Sequence, residues 1–305
     1  MIKKVAVIGS GAVGSSLASN LLSRLALEHV ALIDIADSLA KGVACDLEDT
    51  RGILGFSTQI HAGSDMSLID GADVVVLTAG IARKDGMTRA DLFKTNSAVA
   101  GEVSEAIVQY APKSIVIVVT NPLDAITYVV TKKTGFPRNR VFGMGSSLDT
   151  ARMINIISTD AGVQASAVKG VVFGVHSNEM IVSPARITIG NKTMADVLAP
   201  EKVAALQQRV KMRGGEIVAL LKNRSAHFAP GLAACQLIEA IAKDAGTVLP
   251  VSVLLNGEYD LRDICMGVPC KIDKSGAACI IELRLTDAEK SEVLKAKKLF
   301  QEFFP

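Results

Sequence analysis

The sequence has little net charge, few cysteines and no long hydrophobic run, and each of these absences excludes a class of protein. Lys and Arg number 33 against 31 Asp and Glu, a formal net charge of +2, which is unlike the basic surface of a nucleic-acid-binding protein. Although 49% of the 305 residues are hydrophobic, apolar runs such as residues 115–119 are far shorter than the roughly 20 residues of a membrane-spanning helix. The N-terminus has neither the apolar core of a signal peptide nor an Arg- and Ser-rich presequence. We therefore expect a cytoplasmic protein with no nucleic-acid or membrane partner.

The cysteines are odd in number, and none of them occurs in C-x-x-C spacing. Neither a zinc site nor a disulfide framework is indicated by this pattern. We expect buried, reduced thiols, as is usual in the cytoplasm, and no metal. The five residues are Cys45, Cys235, Cys265, Cys270 and Cys279.

The N-terminal stretch carries the strongest local signal. Residues 5–8 are apolar and mostly β-branched, which is typical of a strand buried on both faces of a parallel sheet. Gly9, Gly11 and Gly14 follow in G-x-G-x-x-G spacing. In such a motif the first glycine permits a tight turn, the second lets the backbone approach a pyrophosphate, and the third lets the next helix pack closely. That helix, predicted at about 15–25, would direct its N-terminal N–H groups at the phosphates.

A second strand-like run, residues 30–33, ends at Asp34, twenty residues after Gly14. An acidic side chain at this distance accepts hydrogen bonds from a ribose. It binds a free 2′-hydroxyl but repels a 2′-phosphate, so NAD is favoured over NADP. A structural strand–helix–strand unit without a ligand is the alternative, but the combination of features favours a dinucleotide site.

Strand-like and helical patterns alternate up to about residue 143, which implies a parallel sheet with right-handed crossovers. The strand ends that carry Gly9, Asp34, Gly80 and Asn121 should then share one edge, where ligands bind in such sheets. The further strand-like segments are 59–62, 72–78 and 114–120, and the helical ones are 38–50 and 90–110.

Beyond Gly143 the pattern mixes helices with antiparallel, hairpin-like strands, and no Pro/Ser-rich linker separates the halves. We predict an α/β protein with a Rossmann doubly wound parallel sheet over residues 1–143, which binds NAD, and a tightly packed α+β substrate-binding and catalytic domain over residues 144–305. The predicted helices are about 148–160, 194–222, 231–244 and 288–304, and the predicted strands are 168–175, 180–189, 251–255, 268–272 and 279–285.

Three polar residues of the second half are candidates for chemistry. Asp149 and Arg152 lie three residues apart on a predicted helix, so both side chains fall on one face. By itself this spacing is equally typical of a surface ion pair. His176 follows a strand-like run, and a histidine is suited to proton transfer because its pKa is near 6.5. A single histidine is more often a packed or solvated residue, so these three residues need the support of the motifs around them.

Several short motifs follow one another along the chain: Gly-Ser-Gly-Ala-Val-Gly with Asp34, Thr78-Ala79-Gly80, Arg83-Lys84, Gly86-Met87-Thr88-Arg89, Thr120-Asn121-Pro122, Leu148-Asp149-Thr150-Ala151-Arg152, Gly174-x-His176, Ala229-Pro230, Gly257-Glu258-Tyr259 and Gly267-Val268-Pro269. In order and spacing, these motifs resemble the lactate/malate dehydrogenase family over the whole chain. Arg83 and Met87 make the chain similar to the malate dehydrogenases of the lactate-dehydrogenase-like branch. The resemblance implies NAD as the cofactor, a small dicarboxylate (malate or oxaloacetate) as substrate, and a homodimer or homotetramer.

Carried over to this sequence, the resemblance implies a site for hydride transfer. His176 would exchange a proton with the substrate oxygen, and Asp149 would hold the other imidazole nitrogen and stabilise the charged form. Arg152 would bind the C1 carboxylate of the substrate in a bidentate fork. The implied cofactor-binding residues are Gly9, Gly11, Ala12, Val13, Gly14, Asp34, Thr78, Ala79, Gly80, Asn96, Val119 and Asn121.

Two further roles follow from the same resemblance. Arg89 would polarise the reacting carbonyl and stabilise its developing charge. Asn121 would orient the substrate oxygen, and the bond between Asn121 and Pro122 is expected to be cis. Closure of the loop at about 83–89 would exclude water and complete the site.

Substrate choice depends on Arg83. In the family this position faces the far substituent of the reacting carbon, where a guanidinium pairs with a second carboxylate and a neutral Gln accommodates the methyl group of lactate. A monocarboxylate would leave Arg83 buried and unpaired, which is costly. Because loop arginines are usually solvated, an L-lactate or other 2-hydroxy-acid dehydrogenase stays an alternative, and a non-catalytic NAD-binding protein is a more distant one. NAD-dependent glycosidases of the same fold need a metal, for which the sequence has no Cys/His ligand pattern.

The chain departs from the family pattern at a few positions. Asp85 stands where Pro is common, and Ser177-Asn178 replaces the usual Gly-Asp after the histidine, so the polar network beside His176 should differ. Ala226-His227-Phe228 replaces a more usual pair of a small residue and an aromatic one, and His227 is either a spectator or a neighbour of the pocket. No departure removes a residue that the resemblance makes catalytic.

Overall fold

The computed structural model describes residues 2–82, 86–222 and 225–304. The strands are β1 (Lys4–Ile8), β2 (His29–Ile33), β3 (Gln59–Gly63), β4 (Val74–Leu77), β5 (Ile115–Val118), β6 (Val141–Gly143), β7 (Val168–Lys169), β8 (Thr188–Ile189), β9 (Lys192–Thr193), β10 (Thr247–Asn256), β11 (Arg262–Asp273) and β12 (Gly276–Ile280). The α-helices are α1 (Ala12–Arg24), α2 (Asp37–Asp49), α3 (Arg51–Leu54), α4 (Arg89–Tyr110), α5 (Leu123–Thr134), α6 (Gly145–Ala161), α7 (Met194–Val197), α8 (Pro200–Leu221), α9 (Phe228–Ala242) and α10 (Asp287–Gln301).

The predicted doubly wound parallel sheet is confirmed. Strands β1 to β6 pair in parallel, and β1 lies in the middle because it pairs with both β2 and β4. Its side chains alternate between the two faces of the sheet. Val5 and Val7 pack in a cluster with residues of α1 and α9, whereas Ala6 and Ile8 pack with residues of α4 and α5. Burial on both faces explains the continuous apolar runs.

The sheet extends beyond the parallel strands, which the sequence did not predict. Strand β10 joins β6 in antiparallel orientation through Ser252 and Gly143, and β11 and β12 follow it. The order of the nine strands is β12-β11-β10-β6-β5-β4-β1-β2-β3. The hairpin strands expected in a separate α+β unit therefore share one sheet with the Rossmann strands, and only β7, β8 and β9 form a second, small sheet within the described residues. The division at residues 143 and 144 stays a prediction.

Several predicted boundaries were wrong for reasons of backbone chemistry. The expected helix at 194–222 is two helices, because Pro200 opens α8 in a position where its missing N–H costs nothing. The expected strand at 168–175 is reduced to β7, since Gly170 and Gly174 adopt φ values of +148° and +90°. Within 180–189, Pro184 starts a 3₁₀ turn and only β8 is a strand. The strand expected at 279–285 ends at Ile280.

Helix α5 has no counterpart in the prediction. Its sequence is rich in Thr, Val and Ile, which are typical of strands. The hydroxyl groups of Thr127, Thr131 and Thr134 donate to the carbonyl groups four residues earlier, so these three buried hydroxyls are satisfied within the helix.

Three of the cysteines are buried, and all five are free. Burial raises the pKa of the Cys235 and Cys270 thiols to about 12. Cys45 and Cys279 are exposed, so the expectation of five buried thiols was wrong for these two. Among the helices in the described ranges, none combines the length and the apolar character needed to cross a membrane.

Candidate active site

The predicted shared edge of the sheet is confirmed. Gly9, Asp34, Gly80 and Asn121 each follow the carboxyl end of a parallel strand, namely β1, β2, β4 and β5. A cavity of about 650 Å³ opens at this edge. The sequence-predicted residues that line it are Gly11, Ala12, Val13, Gly14, Thr78, Gly80, Arg89, Val119, Asn121, Arg152 and His176.

The glycine loop has the geometry that a pyrophosphate requires. Gly9 has a φ of +107°, and a Cβ on it would lie 2.6 Å from the Ala79 nitrogen. A Cβ on Gly14 would lie 1.9 Å from the Gly9 oxygen, so only glycine lets α1 pack this closely. At Gly11 a Cβ would meet no described atom within 4 Å. Helix α1 also has no side-chain cap and no acidic residue in its first turn, as far as the described residues show. Its first N–H groups are therefore open to an anion.

Asp34 is held rigidly beside this loop. One carboxylate oxygen accepts a hydrogen bond from the Ser10 nitrogen at 2.8 Å, and the other accepts one from the Ala36 nitrogen at 3.0 Å. Each oxygen keeps a second lone pair for another donor. Asp34 does not line the 650 Å³ cavity. It follows β2, which is separated from β4 by one strand, β1, in the sheet.

Asn96 lies behind the cavity wall and is buried. Its amide oxygen accepts from the Ile81 nitrogen at 2.8 Å, and its amide nitrogen donates to the carbonyl groups of Ile81 and Asn121 at 3.1 and 2.7 Å. The side chain thus joins Ile81, which follows β4, to Asn121, which follows β5. The Asn121–Pro122 peptide bond, which follows β5, is cis as predicted.

The structure brings His176, Asp149 and Arg152 together. The Nδ1 atom of His176 lies 2.6 Å from Oδ2 of Asp149, and Nη1 of Arg152 lies 3.3 Å from Oδ1 of the same carboxylate. Asp149 is fully buried, while the histidine and arginine side chains keep small exposed fractions of 14% and 12%. Because Asp149 occupies Nδ1, the imidazole can present only Nε2 to a ligand.

The segment before His176 is fixed by close backbone contacts. Gly174 and Gly267 exchange two backbone hydrogen bonds of 2.9 Å, and a Cβ on Gly267 would lie 1.8 Å from the Ser146 oxygen. A Cβ on Gly145, the first residue of α6, would lie 2.8 Å from the Cβ of His176. The absence of a side chain at Gly145 leaves the space that the histidine occupies, and Gly267 leaves space for Ser146.

A second carboxylate contacts His176, and sequence reasoning missed it. Oδ2 of Asp124 accepts a hydrogen bond from the backbone nitrogen of His176 at 2.7 Å, and Oδ1 accepts one from the hydroxyl of Ser252 at 2.6 Å. Asp124 also lines the cavity. The available signal was an acidic residue within the otherwise apolar start of α5, directly after Asn121-Pro122.

Charge and burial oppose each other at these residues. Burial alone would lower the pKa of His176, but the charge and hydrogen bond of Asp149, followed by the charge of Asp124, raise it above its usual value, and Arg152 opposes them. Burial lowers the pKa of Arg152 and raises that of Asp124. The Nε atom of Arg152 is buried and has no hydrogen-bond partner among the described residues. A buried guanidinium with a free donor favours an anionic ligand.

Arg89 is the first residue of α4, after the N-cap Thr88. The Thr88 side chain and Asp91 form a reciprocal capping box, which sets where the helix starts. The helix dipole disfavours a cation at a helix N-terminus. Arg89 therefore does not stabilise α4 at this position. Arg83 and Asp85 lie outside the described residues.

Of the other residues that depart from the family pattern, two line the cavity and His227 is not among its described lining residues. Ser177 and Asn178 both line the cavity. His227 is not among the described lining residues; its ring packs on Phe228 with 4.2 Å between centroids, and its Nδ1 lies 3.1 Å from the Ser225 carbonyl.

A second cavity, of about 830 Å³, lies at the opposite edge of the sheet. Two of its charged residues already have partners within the fold: Asp73 accepts from the backbone of Lys3, and Arg140 donates to the Pro112 carbonyl. In the parts of the chain that the structure describes, no three His, Cys, Asp or Glu side chains form a group that could hold a metal ion.

Comparison with known proteins gives matches along nearly the whole chain. Residues 3–143 match the family description lactate/malate dehydrogenase, NAD binding domain, and residues 146–302 match its alpha/beta C-terminal domain. The malate dehydrogenase of Staphylococcus carnosus is 41% identical over 289 residues, which cover 94% of this chain and 93% of that protein.

Two solved structures are similar at the level of the whole fold. Malate dehydrogenase from Cryptosporidium parvum superposes with a TM-score of 0.95 at 35% identity and covers 99% of this chain and 98% of its own. The lactate dehydrogenase of the same organism, solved with lactic acid and nicotinamide adenine dinucleotide, gives a TM-score of 0.95 at 31% identity, covering 99% and 97%. The fold alone therefore does not separate the two substrates.

Proposed function

The chain belongs to the lactate/malate dehydrogenase family, and from this premise we propose that its 650 Å³ cavity is the active site of an NAD-dependent malate dehydrogenase, which interconverts (S)-malate and oxaloacetate. Bound NAD would supply the hydride acceptor for malate oxidation, and NADH the hydride donor for oxaloacetate reduction. The observation that supports this function most directly is the 2.6 Å contact between His176 and Asp149, because it creates a proton donor and acceptor beside the cavity.

In this proposal His176 moves the proton. In malate oxidation the neutral imidazole accepts the hydroxyl proton on Nε2, and in oxaloacetate reduction the charged imidazole donates it to the carbonyl oxygen. Asp149 accepts the Nδ1 hydrogen bond, which selects the tautomer with a free Nε2 and stabilises the charged ring.

Arg152 binds the C1 carboxylate of the substrate. Asp149 holds only one edge of the guanidinium, at Nη1, and the buried Nε has no described partner. A carboxylate on the cavity side would satisfy such donors and replace the water that burial has removed. Binding the substrate between Arg152 and His176 would bring its reacting oxygen within reach of the proton donor.

Arg89 and Asn121 complete the polar lining. Arg89, from the start of α4, stabilises the negative charge that develops on the carbonyl oxygen. Asn121 orients this oxygen; its own backbone carbonyl is already occupied by Asn96. Closure of the loop at about 83–89 would exclude water and strengthen these interactions.

NAD would lie along the carboxyl edge of the sheet. The open space at Gly11 and the uncapped start of α1 fit the pyrophosphate, and the Asp34 carboxylate fits the ribose diol. Asn96 would act through the backbone of Ile81 and Asn121 rather than by direct contact, because its own polar groups are already engaged. The other residues proposed to contact the cofactor are Gly9, Ala12, Val13, Gly14, Thr78, Ala79, Gly80, Val119 and Asn121.

The choice between malate and lactate depends on Arg83, and its substitution tests the proposed substrate. We compare kcat/KM for oxaloacetate and pyruvate, with NADH, in the wild type, in Arg83→Gln and in the neighbouring charge control Lys84→Gln. The wild type should prefer oxaloacetate by at least about 100-fold, and Arg83→Gln should remove most of this preference, because it leaves the second carboxylate unpaired. A wild-type preference for pyruvate would support the lactate dehydrogenase alternative, and no turnover of either substrate would support an NAD-binding protein without catalysis.

The apolar surface of the chain supports a homo-oligomer, either a dimer or a tetramer. Ile53, Leu220 and Phe228 expose 87%, 74% and 75% of their area, and contact with a second copy of the chain would remove this apolar area from water. Light scattering coupled to size exclusion tests this point, and a mass equal to one chain at micromolar concentration would contradict it.

The free thiols fit a reducing, cytoplasmic location, which subcellular fractionation can examine.

A further inference from the structure

We propose that Asp124 is a positioning residue for His176, and that its carboxylate holds the histidine main chain and adds negative charge beside the ring. This inference rests on the proposed role of His176 in proton transfer. It starts from the contacts of Asp124, which joins three separate parts of the fold. The carboxylate lies in the first turn of α5. It accepts one hydrogen bond from the backbone N–H of His176 and another from the hydroxyl of Ser252 on β10.

The burial of Asp124 requires an explanation beyond folding. The residue is 8% exposed and Ser252 is not exposed at all. Burial of a carboxylate is costly unless donors satisfy both of its oxygens. Here one donor satisfies each oxygen, at 2.7 and 2.6 Å. An apolar side chain would fill such a site without this cost, so the carboxylate is retained for the groups that it binds.

His176 needs such an anchor because its segment is irregular. The residue lies outside the strands and helices, two positions after Gly174 with its φ of +90°. Asp149 fixes the ring through Nδ1, whereas Asp124 fixes the backbone through the amide nitrogen. The two carboxylates come from different helices, α6 and α5, so together they determine both the position of the chain and the orientation of the imidazole.

The charge of Asp124 also acts on the ring. The titratable groups that face His176 are Asp149 and Arg152 from α6 and Asp124 from α5, and Arg213 from α8 acts on Arg152. Asp149 raises the pKa of His176 most, and Asp124 raises it further. Removal of the Asp124 charge should therefore lower the pKa of the imidazole while the contact with Asp149 is retained.

The Asp124→Asn substitution separates charge from geometry. The amide oxygen can accept the His176 N–H, and the amide nitrogen can donate to the Ser252 hydroxyl, so both contacts survive without the charge. The chain has four histidines, and the imidazole signal of His176 can be assigned in NMR spectra by its loss in a His176→Asn variant. We expect the pKa of His176 to fall by about 0.5 unit in Asp124→Asn. The acid limb of kcat/KM for malate should move to lower pH by the same amount.

The Asp124→Ala substitution removes both hydrogen bonds as well. We expect kcat to fall by about tenfold or more, because the proton donor is no longer held in place, while the affinity for NADH changes by less than about twofold. Asp263→Asn is the matched control. Asp263 also accepts a hydrogen bond from a neutral donor, the Tyr128 hydroxyl, and it pairs with Lys132. Because Asp263 lies on the surface, the pH profile and kcat should stay unchanged in this control.

Each outcome separates this inference from the proposed function. A folded Asp124→Ala variant with wild-type kcat would overturn the positioning role, and an unchanged pKa of His176 in Asp124→Asn would overturn the part of it that depends on charge. If Asp124→Ala does not fold, the NMR titration of Asp124→Asn decides. Because this titration needs no substrate, a shifted pKa in a protein that fails to turn over oxaloacetate would retain the positioning role and reject the proposed activity.

Discussion

A single carboxylate, that of Asp149, contacts both His176 and Arg152, with one oxygen 2.6 Å from Nδ1 of the histidine and the other 3.3 Å from Nη1 of the arginine. The spacing between the two cationic groups is therefore set by the width of one carboxylate, and a change at Asp149 should affect both.

Asp149→Asn should reduce kcat by about 10²- to 10⁴-fold. The amide can donate to Nδ1 and would then favour the tautomer whose Nε2 carries the proton, which cannot accept the malate proton. Binding of NADH, measured by fluorescence, should change little, because the glycine loop is untouched. Asp160→Asn, near the other end of α6, removes a carboxylate that pairs with Lys202 and should leave kcat within about twofold of the wild type. Equal losses in both variants would contradict the assigned role of Asp149.

Gly145→Ala should slow the reaction without unfolding the protein. The new Cβ would lie 2.8 Å from Cβ and 2.9 Å from Cγ of His176, so the imidazole must move by a few tenths of an ångström or more. We expect a loss of at least about tenfold in kcat, because proton transfer depends on such distances. Gly101→Ala in α4, where a Cβ would meet no described atom within 4 Å, is the control and should raise stability slightly. Wild-type kcat in Gly145→Ala would show that the ring tolerates the displacement.

Asp34 should determine the preference for NADH. The wild type should have a kcat/KM for NADH at least about 100-fold above that for NADPH, because the fixed carboxylate repels a 2′-phosphate. Asp34→Ala should lower this ratio by about tenfold or more, mainly by raising the KM for NADH. Asp37→Asn, three residues further on, removes a carboxylate that pairs with Lys41 and should not change the ratio. A wild-type preference for NADPH would refute the assignment.

Glu289 should contribute stability that depends on pH. Arg186 binds its carboxylate with Nε at 2.6 Å and Nη2 at 2.8 Å, and this pair, with the Thr286 backbone, lowers the pKa of Glu289 to about 2. The pKa of Glu289 is lower in the folded state than in the unfolded state. Its stabilisation is therefore complete above the unfolded pKa of 4.5 and is lost as the pH falls towards 2.

Urea unfolding of Glu289→Gln measures this contribution. We expect the free energy of unfolding to decrease by about 2 kcal/mol at pH 7, and the difference from the wild type to shrink between pH 4.5 and 2. Glu292→Gln, on the same helix α10, breaks only a surface pair with Lys295 and should change stability by less than about 0.5 kcal/mol. A difference for Glu289→Gln that stays constant over this pH range would exclude the ionic origin.

Long, periodic and apolar segments were predicted well, because their signal lies in neighbouring residues. The parallel strands and the glycine loop of β1 and α1 are examples, and the i, i+3 spacing of Asp149 and Arg152 was enough to predict that both side chains share one face of a helix. Predictions failed where a single backbone feature interrupts a pattern, as at Pro184 and Pro200, and where propensity misleads, as in the Thr- and Val-rich α5.

The amino-acid sequence by itself determined the glycine loop and the strand ends that share one edge of the sheet, since these depend on local spacing. It also indicated His176, Asp149 and Arg152 as candidates, through motifs whose order and spacing resemble those of the family. Only the tertiary structure decided that β10 would extend the parallel sheet, that Asp124 and Ser252, which are 128 residues apart, would meet, and that Gly145 would pack against His176. The physical reason is that contacts between distant segments depend on how whole helices and strands pack, and no local pattern of residues records this packing.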